Sequence, residues 1–225
     1  MADKNKTNTK SLCDVIKSQA FTLHQSGKIK EAELIYKKFI INDCRDADVY
    51  SNYGSILIQK GEHKKAKEIF YKSINEFPNS PYAYCNLGIL LKNLGFYTEA
   101  EKVIQKSIEL QPLLAESYNN LGNVLKIMGN YQDAINLYKI SLNYKPNFIE
   151  ALCNLGYILE EINKYKEAEL YIRQAIQLNS SYPNPYKCLA NILFANGDIK
   201  AAIIEAKKGV LLNPSCSSTL NTLGK

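Results

Sequence analysis

Apolar residues recur along this chain at helical spacing, broken at intervals by glycine, and the whole pattern returns every 34 residues. Tyr84, Leu87, Gly88 and Leu91 stand at i, i+3, i+4 and i+7, one stripe of a first helix. Ala100, Ile104, Ser107 and Ile108 form the matching stripe of a second. Gly95 lies between the two, where the backbone needs a residue tolerant of left-handed angles. The equivalent position holds Gly27, Gly61, Gly129, Asn163 and Gly197, and asparagine is the next residue type to adopt that conformation readily. Tyr84, Leu87, Gly88, Leu91, Gly95, Tyr97, Ala100 and Pro112 return as Tyr118, Leu121, Gly122, Leu125, Gly129, Tyr131, Ala134 and Pro146. Such a period predicts a stacked helical array in which no single copy can bury its apolar face alone.

Small residues mark where the two helices of each copy meet. The second helix carries Ala32, Ala66, Ala100, Ala134, Ala168 and Ala202, facing Ala20, Gly54, Gly88, Gly122, Gly156 and Ala190 on the first. Glycine inside a helix costs up to about 1 kcal/mol relative to alanine, so its recurrence implies close helix–helix approach. Pro78, Pro112, Pro146 and Pro214 then end the second helix.

This order of aromatic, Leu-Gly, Tyr, Ala and Pro resembles the tetratricopeptide repeat (TPR) family. The resemblance implies an all-α, right-handed superhelical solenoid of antiparallel helix pairs. Its copies are 13–46, 47–80, 81–114, 115–148, 149–182 and 183–216, followed by a partial seventh repeat or capping helix at 217–225. The end copies depart from the motif, with Ile16 and Gln19 in the first and Ala206 and Gly209 in the sixth, as terminal repeats of solenoids often do. Residues 1–12 read as a flexible polar tail.

Composition narrows the partner. The net charge of +6 is modest, and Lys4, Lys6 and Lys10 against Asp3 place +2 of it in the tail. Nucleic acid would call for a denser basic face, so none is expected. No stretch approaches the ~20 apolar residues of a membrane span, and the N-terminus has no apolar signal core. Cys13, Cys44, Cys85, Cys153, Cys188 and Cys216 form no CxxC pair, which suggests free thiols and a cytoplasmic protein.

Catalysis finds little support. His24 and His63 are the two histidines, without a triad or metal-ligand constellation around them, and phosphate-loop, HExxH and GxSxG motifs are missing. The sequence therefore predicts a non-enzyme without cofactor or metal. Glu160 and Glu161 read as a solvated acidic pair.

The polar residues that keep the repeat's register carry more. Asn52, Asn86, Asn120 and Asn154 share one position on the first helices, where the end copies have Ser18, Cys188 and Thr222. By the family resemblance this position points into the concave groove. There an amide can pair with both the N–H and the C=O of an extended peptide, without reading its side chains. Asn123 and Asn191 would widen the polar strip, and Tyr82 and Tyr157 would supply apolar anchors beside it, whereas Tyr36, Tyr71 and Tyr138 are expected to pack between repeats. The ladder resembles that of the TPR region of O-linked N-acetylglucosamine transferase, which implies peptide contact for these asparagines. Another groove type is excluded: Phe21, Tyr82 and Asn86 stand where a carboxylate clamp for chaperone tails needs Asn, Lys and Arg. The expected function is a scaffold that binds an extended segment of a protein partner. The alternatives are the substrate-recognition segment of a larger O-linked N-acetylglucosamine transferase-like enzyme, and weak self-association at the C-terminal edge through Leu220 and Leu223.

Overall fold

The computed structural model describes residues 2–213, with side chains from Leu12 onward. Among them are twelve α-helices and no strand, and two compact units, Met1–Pro112 and Leu113–Lys225. The first unit holds α1 (Ala2–Gln25), α2 (Ile29–Ile41), α3 (Ala47–Gln59), α4 (His63–Glu76), α5 (Pro81–Asn93) and α6 (Tyr97–Leu110). The second holds α7 (Ala115–Ile127), α8 (Tyr131–Tyr144), α9 (Ile149–Glu161), α10 (Tyr165–Leu178), α11 (Asn184–Ala195) and α12 (Ile199–Leu212). Odd-numbered helices are the first helices of successive pairs, and each packs on the helix that follows it.

The turn inside each pair forms for the reason the glycines suggested. Gly27, Gly61, Gly95, Gly129 and Gly197 have φ between 75° and 85°, and Asn163 adopts 63°. At Asn163 the helix end closes as its N–H donates to Glu160 O (2.9 Å) while Lys164 N–H reaches back to Leu159 O (2.8 Å). These two bonds satisfy carbonyls that the end of α9 would leave unpaired.

Within a pair, the small residue of the first helix accepts a large one from the second. Phe70, Ile104, Tyr138 and Ile172 are fully buried against Gly54, Gly88, Gly122 and Gly156. Serines take a buried position on three of these second helices, and two of them find backbone partners. Ser107 Oγ donates to Pro81 O and Ser141 Oγ to Ala115 O, both at 2.8 Å, at the start of the first helix of the pair. Each bond removes one unpaired polar group from the core.

Three expectations are corrected here. Residues 2–12 are the first turns of α1 rather than a flexible tail, because no glycine or proline separates them from the repeat's first helix. Cys13 and Cys44 form a disulfide with Cα atoms 5.6 Å apart, whereas their separation of 31 in sequence gave no sign of contact. The hairpin fold is what brings α1 beside the segment after α2. Tyr71, expected between repeats, is 43% exposed, with Lys67 Nζ 5.8 Å from its ring centre. Cys85, Cys153 and Cys188 are buried thiols, and the proposed seventh repeat at 217–225, with Leu220 and Leu223, lies outside the described residues.

The first unit also buries a charge. Glu33 is 7% exposed and accepts from Lys37 Nζ (2.7 Å) and Lys60 Nζ (2.9 Å), which ties α2 to the end of α3. The hydrogen bond from Lys37 holds its carboxyl below the ordinary 4.5, against the opposing effect of burial and with help from Lys60. A depressed carboxyl stabilises the fold above its unfolded value and ceases to do so as pH falls through the folded one. The urea midpoint is therefore expected to drop as pH falls below about 4.5 and onward, and Glu33→Gln to flatten that drop; equal pH profiles for the two proteins would contradict it.

Candidate functional site

First helices of the first unit enclose an open trough of about 580 Å³. Its wall on α1 carries Phe21, His24 and Gln25, spaced so that one helix face presents all three. From α3 come Asp48, Ser51, Asn52 and Ser55, and from α5 come Tyr82 and Asn86. Two of the four register asparagines, Asn52 and Asn86, thus line one cavity, and Tyr82 stands 47% exposed at its edge as an anchor should.

The floor contains a residue the sequence placed in the core. Tyr36 on α2 is fully buried, edge-on to Phe21 at 6.2 Å, and lies among the residues that line the trough. Its hydroxyl oxygen accepts from the Asn52 amide and lies 3.0 Å from His24 Nδ1, within hydrogen-bonding distance. Burial pushes the Tyr36 phenol up to about 12, so it remains a neutral donor at any physiological pH. Ser51, only 8% exposed, has an Oγ without a hydrogen-bond partner.

The second unit holds the other register asparagines, and there most amides are already engaged. Asn154 Nδ2 donates to Oδ1 of Asn119 at 2.9 Å, and Asn119 is itself buried. Asn123 Oδ1 accepts from the Tyr138 hydroxyl at 2.9 Å, repeating the device of Tyr36: a buried ring whose polar end meets a first-helix amide. Asn191 Nδ2 donates to Glu160 Oε1 at 3.0 Å, and Cys188 Sγ lies 3.5 Å from Oε2. Asn120 is half-buried on α7 and, like its neighbours, has interactions within the fold. Tyr157 is not a displayed anchor. It packs on the Leu152, Cys153 and Ala175 cluster with a hydroxyl that is buried and lacks a hydrogen-bond partner.

The acidic pair also divides. Glu161 is exposed and joins Lys126 at 3.4 Å and the Tyr131 hydroxyl at 2.6 Å, while Glu160 is half-buried and held by Asn191. Burial lifts the Cys153 thiol to about 12 and raises that of Cys188 as well, so both are protonated and poor nucleophiles at neutral pH. Among the described residues no three His, Cys, Asp or Glu side chains converge as metal ligands, and no helix is long and apolar enough to cross a membrane.

Asn119, Tyr36 and Tyr138 are the site residues that sequence reasoning missed. A signal existed for the tyrosines, which take the position of Phe70 and Ile104 but add a hydroxyl that a core would not leave unpaired. Asn119 had the weaker one of being polar where Cys85 and Cys153 are not.

Known proteins agree with this architecture. A family model described as tetratricopeptide repeat matches residues 79–147 and 113–181, and a second of the same description matches 47–80. No curated protein sequence matches the chain. Among solved structures, Cut9 in the APC/C Cut9–Hcn1 hetero-tetramer superposes with a TM-score of 0.88 at 20% identity, over 95% of this chain and 42% of that one. PilF of Pseudomonas aeruginosa gives 0.80 at 18% identity over 96% of this chain and 99% of that one. YrrB, titled a TPR protein with an unusual peptide-binding site, gives 0.60 at 17% identity over 84% and 98%. At these identities the likeness is one of fold, and this chain spans less than half of the first of them. With family matches running from 47 to 181 and helices paired at the same 34-residue interval, the chain belongs to the tetratricopeptide repeat family.

Proposed function

We propose that this protein is a non-catalytic scaffold that binds an extended segment of a protein partner along its first helices. The observation that carries the reading is the trough of the first unit, where Asn52 and Asn86 in register line a cavity edged by Phe21 and the exposed Tyr82. Side-chain amides there can pair with a peptide backbone while the rings cover apolar side chains. Peptide binding by YrrB, a protein of the same fold, supports it.

The engaged amides of the second unit redirect the obvious test. Asn154→Ala would break a bond to Asn119 and confuse binding with stability, whereas Asn86 stands in the trough. Peptides selected from a random 12-residue library against the wild type are expected to bind Asn86→Ala roughly five- to tenfold more weakly, a loss of one or two hydrogen bonds. Its melting temperature should stay unchanged. Equal affinities, or a library that yields no binder, would reject the reading. The substrate-recognition segment of a larger glycosyltransferase would use the same amides and give the same result here, so a second reading gains no separate support. A cytoplasmic setting would keep Cys13 and Cys44 reduced, and the redox state of that pair in cells tests it.

A further inference from the structure

We infer that the trough of the first unit selects a basic side chain on the bound peptide, with arginine the fitting residue; this rests on the peptide-binding reading and names its specificity. Asp48 carries the only carboxylate among the trough's lining residues. It is exposed in the first turn of α3, where the helix start favours an anion, and it has no ion-pair partner among the described residues. The nearby cation is already committed. Lys17 pairs with Asp46, the residue that caps α3 by accepting from Asp48 N–H and Val49 N–H. Asp48 is left facing the cavity without a counter-charge.

The uncharged lining has the same bias. Ser51, which lines the trough, is more than nine-tenths buried with an Oγ that lacks a partner, an unmet polar group beneath Asp48. Asn52 gives one N–H to the Tyr36 oxygen and keeps its carbonyl oxygen, beside a second N–H, for a ligand. Carboxylate, hydroxyl and amide oxygen together form an acceptor-rich surface. Guanidinium answers it with five donors and no acceptor, and a carboxylate can take two of them at once. Tyr82, in the same repeat position on α5 as Asp48 on α3, adds an exposed ring on which a planar guanidinium can stack. An acidic side chain would meet Asp48 with like charge, and a wholly apolar one would leave that carboxylate unmatched.

Selection of random 12-residue peptides on the wild-type chain tests this. Enriched peptides should share an arginine, and changing it to lysine should weaken binding severalfold, less so on Tyr82→Ala, where the stacking surface is gone. Asp48→Asn should weaken the selected peptide at least tenfold and remove much of the salt dependence of its affinity. Asp48→Arg should bind the same peptide better once its arginine is changed to glutamate. Enriched peptides without a common basic residue, or Asp48→Asn within twofold of wild type while Asn86→Ala still weakens binding, would overturn the arginine specificity and leave the peptide groove standing. Failure of all peptides to bind would overturn both.

Discussion

Reducing the disulfide between Cys13 and Cys44 is expected to destabilise the first unit by about 3–4 kcal/mol. The bridge closes a loop of 31 residues, and in the chain-entropy account a loop of that size restricts the unfolded ensemble by this amount. Its position gives the loss a local address. Cys13 lies on α1, which supplies Phe21 and His24 to the trough, and Cys44 follows α2, which supplies Tyr36. Stacked repeats open piecewise from their ends, so a single melting temperature would blur the effect. Hydrogen exchange resolves it: protection in α1 and α2 should fall under reductant, with little change in α9 to α11. Cys13→Ser/Cys44→Ser should show the reduced pattern without reductant and ignore its addition. Identical protection of α1 with and without reductant would show that helix packing alone holds this end. The buried thiols Cys85, Cys153 and Cys188 stand apart from this response.

Which features were legible in the sequence follows from how each one is encoded. Helix pairing and the turn inside each pair recur six times and the contact of glycine with a large residue four times, and repetition separates them from chance. Asn163 shows how far this goes: a departure from glycine still implied a positive φ, and 63° is what the backbone adopts. The disulfide occurs once and joins positions in different helices, so periodicity could not reveal it. Side-chain engagement is hidden for a different reason. Asn52, Asn86, Asn120 and Asn154 are equivalent by position, but whether an amide is available depends on the residue opposite, and that residue changes. Asn119 ties up Asn154, while the trough of the first unit leaves Asn86 facing a cavity. Tyr157 and Asn191 share one repeat position and still differ, one set in a core cluster and the other holding Glu160.

The second large effect is expected at Gly122, in the contact between α7 and α8. A Cβ added there would lie 2.6 Å from Tyr138 Cε1 and 2.9 Å from Cδ1, on a ring fully buried between helices and unable to give way at a flexible tip. Alanine sets a better helix propensity, worth up to about 1 kcal/mol, against that overlap, and the overlap wins. Valine adds two further carbons and loses most of the propensity gain, so Gly122→Val should cost about 3 kcal/mol. Displacing the ring also draws the Tyr138 hydroxyl away from Asn123, 2.9 Å distant, so a tie between α7 and α8 is lost along with the core contact. Removing the ring identifies the cause. Tyr138→Ala alone should cost about 3–5 kcal/mol by leaving a cavity. In Gly122→Val/Tyr138→Ala the new side chain occupies part of that cavity, and the double mutant should be more stable than the sum of the singles predicts by at least about 1 kcal/mol. Denaturant unfolding of the four proteins measures this coupling. Strictly additive losses would mean that Gly122 is required for its backbone and not for the space it leaves to Tyr138.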